Sequence, residues 1–521
     1  MSTSQRDLLT AGGLVLLASF AFVHLMAVPA FEDEGSQLRY ITRLTAAGEW
    51  LQPLSEGKPL EAWPMVPFMW LAQPLAGIRA VHVLAGVIGA VLIWRLASLL
   101  GASRWIAFTC GVLFALCPYA VYLERFALSD ILLCTAGIWV LMSGLKLLQS
   151  PAWPRALSLA AALVLAACCK LPVGFVFVLS MPLALALMPA SAQRQCREPP
   201  VRTWLLAAHV PVLLLALVVA LAAIARWQHG QSPGFGIQDL VGIGLGAYRI
   251  NLPRPTLLGE LATQLSWPVV LLGAIGTAAS VFGRDWRLRW LIAVGGLPLL
   301  AIGLVARFWY PRYLLFTLPP LIVAAVFGWQ SLAQRTGRWS RLCGAAVLIV
   351  TLACLLPQSA RLILEPQAAR WSAIDRYQYF DGPGSGYGYP EAATCILGAA
   401  HVPAIYSLDG HSAEQLRTYL PPAWRSRVSP LSFTADGTVL RSNEARLQKL
   451  LAPEGVWLIV PEPLLGNLLE SNVGADNAAR VHVRQLAAFN KPDARTRIAL
   501  YEVARDGSGS LPTTSVNVCR K

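Results

Sequence analysis

Long apolar stretches recur near residues 8–30, 79–100, 105–122, 129–148, 155–169, 171–189, 203–225, 266–282, 289–306, 312–329 and 341–357. A bilayer core of about 30 Å needs roughly 20 apolar residues per crossing helix, fewer where neighbours shield a short one. Inside lipid, every backbone N–H and C=O must be paired within the spanning element. A chain with this many apolar runs is therefore predicted to be a polytopic α-helical membrane protein with about eleven transmembrane helices. The weakest boundary lies between the fifth and sixth runs, where only Cys169-Lys170-Leu171-Pro172 breaks the pattern.

Composition excludes a soluble chain of this size: 56% of residues are hydrophobic, 13% are charged and the mean hydropathy is +0.54. The net charge of +14 would suit a nucleic-acid partner. Yet the basic residues sit in small clusters between apolar runs, as topology signals do, so no nucleic acid is expected. The first run is longer than the apolar region of a secretory signal and leads into an acidic loop without an A-x-A site; it reads as the first membrane helix.

Arginines and lysines alternate in side. Arg104, then Lys146 and Arg155, then Arg194, Arg197 and Arg202, then Arg284, Arg287 and Arg289, then Arg335, Arg338 and Arg341 occupy every second connection. Those connections are predicted cytoplasmic, which puts the loop of residues 31–78, the stretch around Glu124 and Arg125, the turn from Arg307 to Arg312 and the C-terminal region on the opposite side. The N-terminus is then cytoplasmic and the C-terminus periplasmic or extracellular.

After residue 357 the long apolar runs cease and turn residues such as Asp381-Gly382-Pro383-Gly384 appear, so the chain divides into a membrane domain of residues 1–357 and an extracytoplasmic α/β domain of residues 358–521. Within the second, Val402 to Leu408, Val456 to Val460 and Arg497 to Val503 read as short buried strands; Ser412 to Leu420 and Asn443 to Leu451 have helical apolar spacing. Cys395 and Cys519 are this region's two cysteines; in an oxidising compartment they are expected to pair, with two independent thiols as the alternative. The seven histidines show no H-x-x-x-H or H-E-x-x-H spacing, and no cysteines form a CxxC pair.

The most informative polar feature is Glu32-Asp33-Glu34, placed directly after the first apolar run. Carboxylates beside hydrocarbon are costly to desolvate, so the cluster implies a watered cavity, a metal or a cationic partner; a plain acidic outer loop is the simpler alternative. Downstream come Arg39-Tyr40, then Gly48-Glu49-Trp50-Leu51-Gln52-Pro53, then Gly57-Lys58-Pro59. Two further elements are Glu124-Arg125-Phe126-Ala127-Leu128-Ser129-Asp130, and Arg312-Tyr313-Leu314-Leu315 followed by Leu318-Pro319-Pro320.

Together these elements resemble the first outer loop, an R-x-x-x-x-D element and an R-Y-L-L-P-x-x-P-P element of the lipid A aminoarabinose transferases and protein O-mannosyltransferases, which share the GT-C fold. The resemblance spans most of residues 8–360. It implies an inverting glycosyltransferase of the inner or plasma membrane. Such an enzyme moves a sugar from a polyprenyl-phosphate donor to a lipid, glycan or protein acceptor on the outer side. It further implies Asp33 as catalytic base, with Glu34 orienting it or joining it in holding a divalent cation; a metal-free site is the alternative. One departure stands out. The family often carries Glu-Lys-Pro where this chain has Ala62-Trp63-Pro64, and Lys58 is the nearest replacement for that lysine.

Displacing a lipid phosphate from an anomeric carbon requires a base near the acceptor hydroxyl and cations on the leaving phosphate. Arg312, Arg125, Lys58 and Arg307 all fall at the predicted outer boundary and are the candidate phosphate ligands, with snorkelling to the interface as the alternative for Arg307 and Arg312. Asp130 is expected to pair with Arg125, with a second base as the alternative, and Tyr313 to support Arg312. A transporter of polyprenyl-linked lipid is the rival function, but midplane ionisable residues and paired broken helices, which such a protein would want, are scarce in the sequence, and no repeat relates its two halves. A catalytically silent relative is a third reading.

Overall fold

The computed structural model describes the chain except for residues 1–2, 51, 56, 192, 194–198, 229–256, 284, 306–309, 336–337, 400, 432–448, 451–454, 463–464, 466–480, 494 and 506–521. The described residues form two compact units that do not follow chain order. One comprises residues 1–25, 49–65 and 78–372; the other comprises 26–48, 66–77 and 373–521. The loop of residues 31–78 is thus shared between the units, and the change from one unit to the other after the last long helix comes at residue 372 rather than 357.

The first unit is helical. Among the described residues, Pro74–Leu99, Ser129–Gln149, Val201–Ala225, Pro311–Gln330 and Ala345–Leu364 are long and apolar enough to cross a membrane. Shorter apolar helices cover Arg104–Ala115, Trp153–Cys169, Phe175–Leu187 and Trp267–Phe282. Each predicted apolar run holds helix, the first ending earlier than expected. Its helix runs Thr3–Ala18 and a 3-10 turn Ser19–Phe22 follows before the chain turns at His24, where φ is +51°. Weak apolar periodicity and the lack of a capping signal before Ala30 hid that end.

Two kinds of helix surface stand apart. In the most apolar 18-residue stretches of Ser129–Gln149 and Pro311–Gln330, 72% and 78% of the residues are buried, whereas in those of Val201–Ala225 and Ala345–Leu364 only 22% are. The exposed faces carry Leu206, Leu213, Leu217, Leu221, Ile349 and Leu356. Apolar faces this large are costly in water and cost nothing in lipid tails, so the chain is a membrane protein.

Helix association without a hydrophobic drive depends on close backbone approach and on polar links. Both occur. At the crossing of Trp267–Phe282 with Leu318–Arg335, a Cβ on Gly276 would lie 1.8 Å from the Ala324 carbonyl oxygen, and Gly328 meets Gly276 itself. Between Ser129–Gln149 and Trp153–Cys169, the Ser143 and Ser158 hydroxyls bond at 2.9 Å and Trp139 Nε1 donates to Ser158 Oγ at 3.1 Å.

The second unit carries a five-stranded sheet in the order β2-β1-β3-β5-β4: β1 Ala404–Ser407, β2 Val428–Pro430, β3 Val456–Pro461, β4 Val481–Asn490 and β5 Arg497–Arg505. β1 runs parallel to β2 and β3; β5 runs antiparallel to β3 and β4. β3 is buried on both faces, which explains its unbroken apolar run. Trp457 and Ile459 enter a core with Tyr389, Ile396, Leu416 and Ile498, while Val456, Leu458 and Val460 enter another with Tyr501 and Val503. The helices Glu32–Ala47 and Gly410–Arg417 pack together in this unit. The three expected strands are present as β1, β3 and β5, and the expected helix at Ser412 to Leu420 is Gly410–Arg417. Most of the expected helix at 443–451 lies outside the described residues. Cys395 is disulfide-bonded; Cys519 lies outside the described residues.

Candidate functional site

In the first unit, three cations gather around one carboxylate. Asp130 opens the helix Ser129–Gln149 and is 3% exposed, at a helix N-terminus where negative charge is favoured. Lys170 Nζ lies 3.2 Å from Asp130 Oδ1. Lys170, Arg312 and Lys58, in that order, are the positive charges acting on Asp130.

Each cation is held by a local device. Lys170 is the extended residue between the helices Trp153–Cys169 and Leu171–Gly174. There the chain folds back so tightly that a Cβ on Gly174 would lie 1.9 Å from the Ala166 carbonyl oxygen. Leu171 N donates to Gly57 O at 2.7 Å, fastening this break to the first loop. Gly57 has φ +77°, a conformation side chains resist. Next to it, Lys58 caps the helix Pro59–Ala62 and lies 3.4 Å from Glu61 Oε2. Glu61 Oε1 accepts from the Ser129 backbone N–H and so satisfies a donor at the N-terminus of the Asp130 helix. Arg312 is the second residue of the 3-10 helix Pro311–Thr317, 8% exposed, its guanidinium 4.8 Å from the Tyr310 ring centre and 5.8 Å from that of Tyr313. Lys170 Nζ is 4.9 Å from the Tyr313 ring centre. Stacked aromatic faces hold the cations without neutralising them.

Of the residues singled out in the sequence, Lys58, Asp130, Arg312 and Tyr313 come together. Lys170 and Glu61 were missed. A lysine inside an otherwise apolar stretch was the available signal, because intramembrane cations are expensive and rare. Two expectations need correction. Asp130 pairs with Lys170, not Arg125. Arg125 is given to backbone carbonyls: it donates through Nη1 to Leu362 O and through Nη2 to His24 O and, at 3.2 Å, to Val23 O. Those carbonyls lie at the ends of Ser19–Phe22 and Arg338–Leu364, where unpaired oxygens need donors. Its neighbour Glu124 is buried against Gly86. Arg307 lies outside the described residues.

Asp33 belongs to the second unit. It stands in the first turn of Glu32–Ala47 between Glu32 and Glu34, with its own side chain partly exposed. Glu34 is fully buried, and its Oε2 accepts from the Phe31 backbone N–H at 3.0 Å, a capping role. The Glu32 backbone N–H donates to Gly384 O at 3.0 Å. Burial, then the charges of Asp33 and Asp409, push the Glu32 carboxyl up to about 7, while Lys491 acts in the opposite sense. Lys491 Nζ donates to Gly382 O at 2.5 Å and to Ser385 Oγ at 3.0 Å, and its burial brings the ammonium down to about 8. Ser36, one turn along Glu32–Ala47, has its Oγ 2.5 Å from Nδ1 of His411 on Gly410–Arg417. Among the described residues, no three His, Cys, Asp or Glu side chains are grouped as metal ligands.

ArnT from Cupriavidus metallidurans superposes on 96% of this chain and 98% of its own, with a TM-score of 0.56 and 14% identity, both in the apo state and bound to undecaprenyl phosphate. The fold is that of the GT-C glycosyltransferases. An oligosaccharyltransferase from Archaeoglobus fulgidus matches 92% of the chain and 69% of its own length at a TM-score of 0.50 and 11% identity. No protein-family profile and no curated protein sequence matches the chain.

Proposed function

We propose that the chain is an inverting glycosyltransferase that takes a sugar from a polyprenyl-phosphate donor to a lipid, glycan or protein acceptor on the outer side of the cell membrane. The observation that carries this reading is the Lys58–Lys170–Arg312 cluster. Its three cations lie around the buried carboxylate of Asp130, with Glu61 beside Lys58. A phosphodiester-linked sugar carries a negative charge that such a group of cations attracts. As the glycosidic bond breaks, the departing phosphate gains a further charge, and cations set in advance stabilise that transition state. The likeness to a protein captured with undecaprenyl phosphate supports the same donor class.

In the proposed reaction, the acceptor oxygen attacks the anomeric carbon, the bond to the phosphate oxygen breaks, and the phosphate leaves with the electron pair. Asp33 takes the acceptor's proton. One displacement inverts the sugar, so no second nucleophile is needed. A divalent cation at Asp33 and Glu34 would serve to polarise the acceptor; Glu34 is already engaged at the helix cap. A lipid transporter would also want outer cations, but a cluster bound to one helix break and one loop favours a fixed phosphate seat.

The test is to incubate purified protein with a panel of polyprenyl-phosphate sugars and candidate acceptors and to follow carrier release by mass spectrometry. Release of polyprenyl phosphate with one sugar supports the reading. Binding of every donor without release from any, in the presence of the acceptors, would move the protein to the transporter class.

A further inference from the structure

A second polar site lies in the helical unit and shares no residue with the Asp130 cluster. A cavity of about 530 Å³ opens between the helices Leu257–Leu265, Trp267–Phe282 and Arg338–Leu364. That volume falls within the range of roughly 300–1,000 Å³ typical of ligand sites. Gly259, Ala262 and Thr263 line one wall, Ser266 and Trp267 the next, and Ala353 to Arg361 the third.

The cavity is built for an anion. Arg361 and Arg370 both line it, and among the described residues neither pairs with a carboxylate. Arg370 is placed deliberately: Gln358 Nε2 donates to its carbonyl at 2.8 Å and Gln358 Oε1 accepts from its N–H at 3.2 Å. Ser266 adopts φ +72°, a costly conformation for a residue with a side chain, and its buried hydroxyl has no hydrogen-bond partner. Strain and an unsatisfied donor at one residue are expected where a ligand completes the site.

The surroundings are those of a lipid. From the cavity, Trp267, Leu271 and Ile275 run down one exposed face of their helix, 55%, 58% and 44% accessible; Leu356, Val350 and Ile349 are similarly bare on the helix that bears Arg361. An acyl chain on these faces would have its headgroup at the two arginines. Trp267 stands where an aromatic belt residue meets the headgroup layer.

We propose that this cavity binds the phosphate of an anionic membrane lipid, with Arg361 and Arg370 as its ligands and the Ser266 hydroxyl as a donor. The seat is independent of the donor-phosphate cluster and of whether the chain transfers sugars.

Native mass spectrometry of the full chain in detergent, titrated with phosphatidylglycerol or with phosphatidylcholine of the same acyl chains, tests this directly. The wild type retains phosphatidylglycerol in preference to phosphatidylcholine. The Arg361→Gln/Arg370→Gln double variant binds it roughly tenfold or more weakly, the loss of two charge-assisted contacts, and the double lysine variant recovers part of the affinity. Thr263→Trp, which fills the cavity and keeps both arginines, loses the same lipid. Equal retention of the two lipids, or unchanged retention in either the double glutamine variant or Thr263→Trp, overturns the site.

Discussion

Replacing Glu32 by Gln should stabilise the second unit at neutral and alkaline pH and leave it unchanged in acid. Glu32 is largely withdrawn from water and faces Asp33 and Asp409, which together push its carboxyl from an ordinary 4.5 to about 7 despite Lys491. Ionising it in the folded state against that shift costs on the order of 3 kcal/mol, at about 1.4 kcal/mol per tenfold. Part of its surface stays wet, so about 1–2 kcal/mol is the expected net effect. The folded value lies above the unfolded one, so the stability tied to this group is complete below about 4.5 and is lost as pH rises through about 7. Glu32→Gln keeps the neutral form throughout. Lys491 titrates near 8 in the same fold, so the comparison is best made below that value. Hydrogen exchange of the Glu32–Ala47 amides in wild type and variant, at about pH 4 and about pH 7.5, reads the difference. Protection should be equal in acid and greater in the variant at the higher pH. Equal protection at both, or a loss in the variant at the higher pH, would refute the argument that Glu32 is held against its own ionisation.

Lys170→Met removes the direct partner of a buried carboxylate and should lower stability in detergent by about 2 kcal/mol, below the 3–5 kcal/mol of a fully isolated pair because Arg312 and Lys58 remain; adding Asp130→Asn should recover part of it, and a melting curve that shows no loss counts against the pairing. Gly276→Leu forces atoms into the Ala324 backbone and should cut the yield of monodisperse protein severely, whereas Gly296→Ala, which meets nothing within 4 Å, should purify normally. A C-terminal alkaline phosphatase fusion should be active and a fluorescent-protein fusion dark, and the reverse would overturn the predicted orientation.

Much of the helical unit was legible because a membrane span announces itself by length and composition alone. Strands β1, β3 and β5 were equally plain, being short apolar runs between turn residues. β4 was not: Val481–Asn490 mixes His482, Arg484 and Gln485 into its pattern, and a bulge between Gln485 and Ala487 breaks the alternation. The division of the first loop between units could not be read either, since no local signal tells which core a short helix joins. At the site, Arg312, Asp130 and Lys58 were marked by motif or placement. Lys170 hid at what looked like a weak boundary between two apolar runs, and Glu61 beside the departure from the family pattern. Arg125 was misread because a charged residue between spans serves equally to cap carbonyls from sequence-distant helix ends, here His24 and Leu362.

Asp33→Asn and Arg312→Ala, compared in one assay with the active polyprenyl-phosphate sugar, test the central claim most directly. If Asp33 is the base, Asp33→Asn should bind the donor normally and lose about 10²- to 10⁴-fold in kcat. Arg312→Ala should instead weaken donor binding by roughly tenfold or more, the loss of a charge-assisted phosphate contact. Full turnover in Asp33→Asn at normal expression, or unaltered donor affinity in Arg312→Ala, would contradict the account.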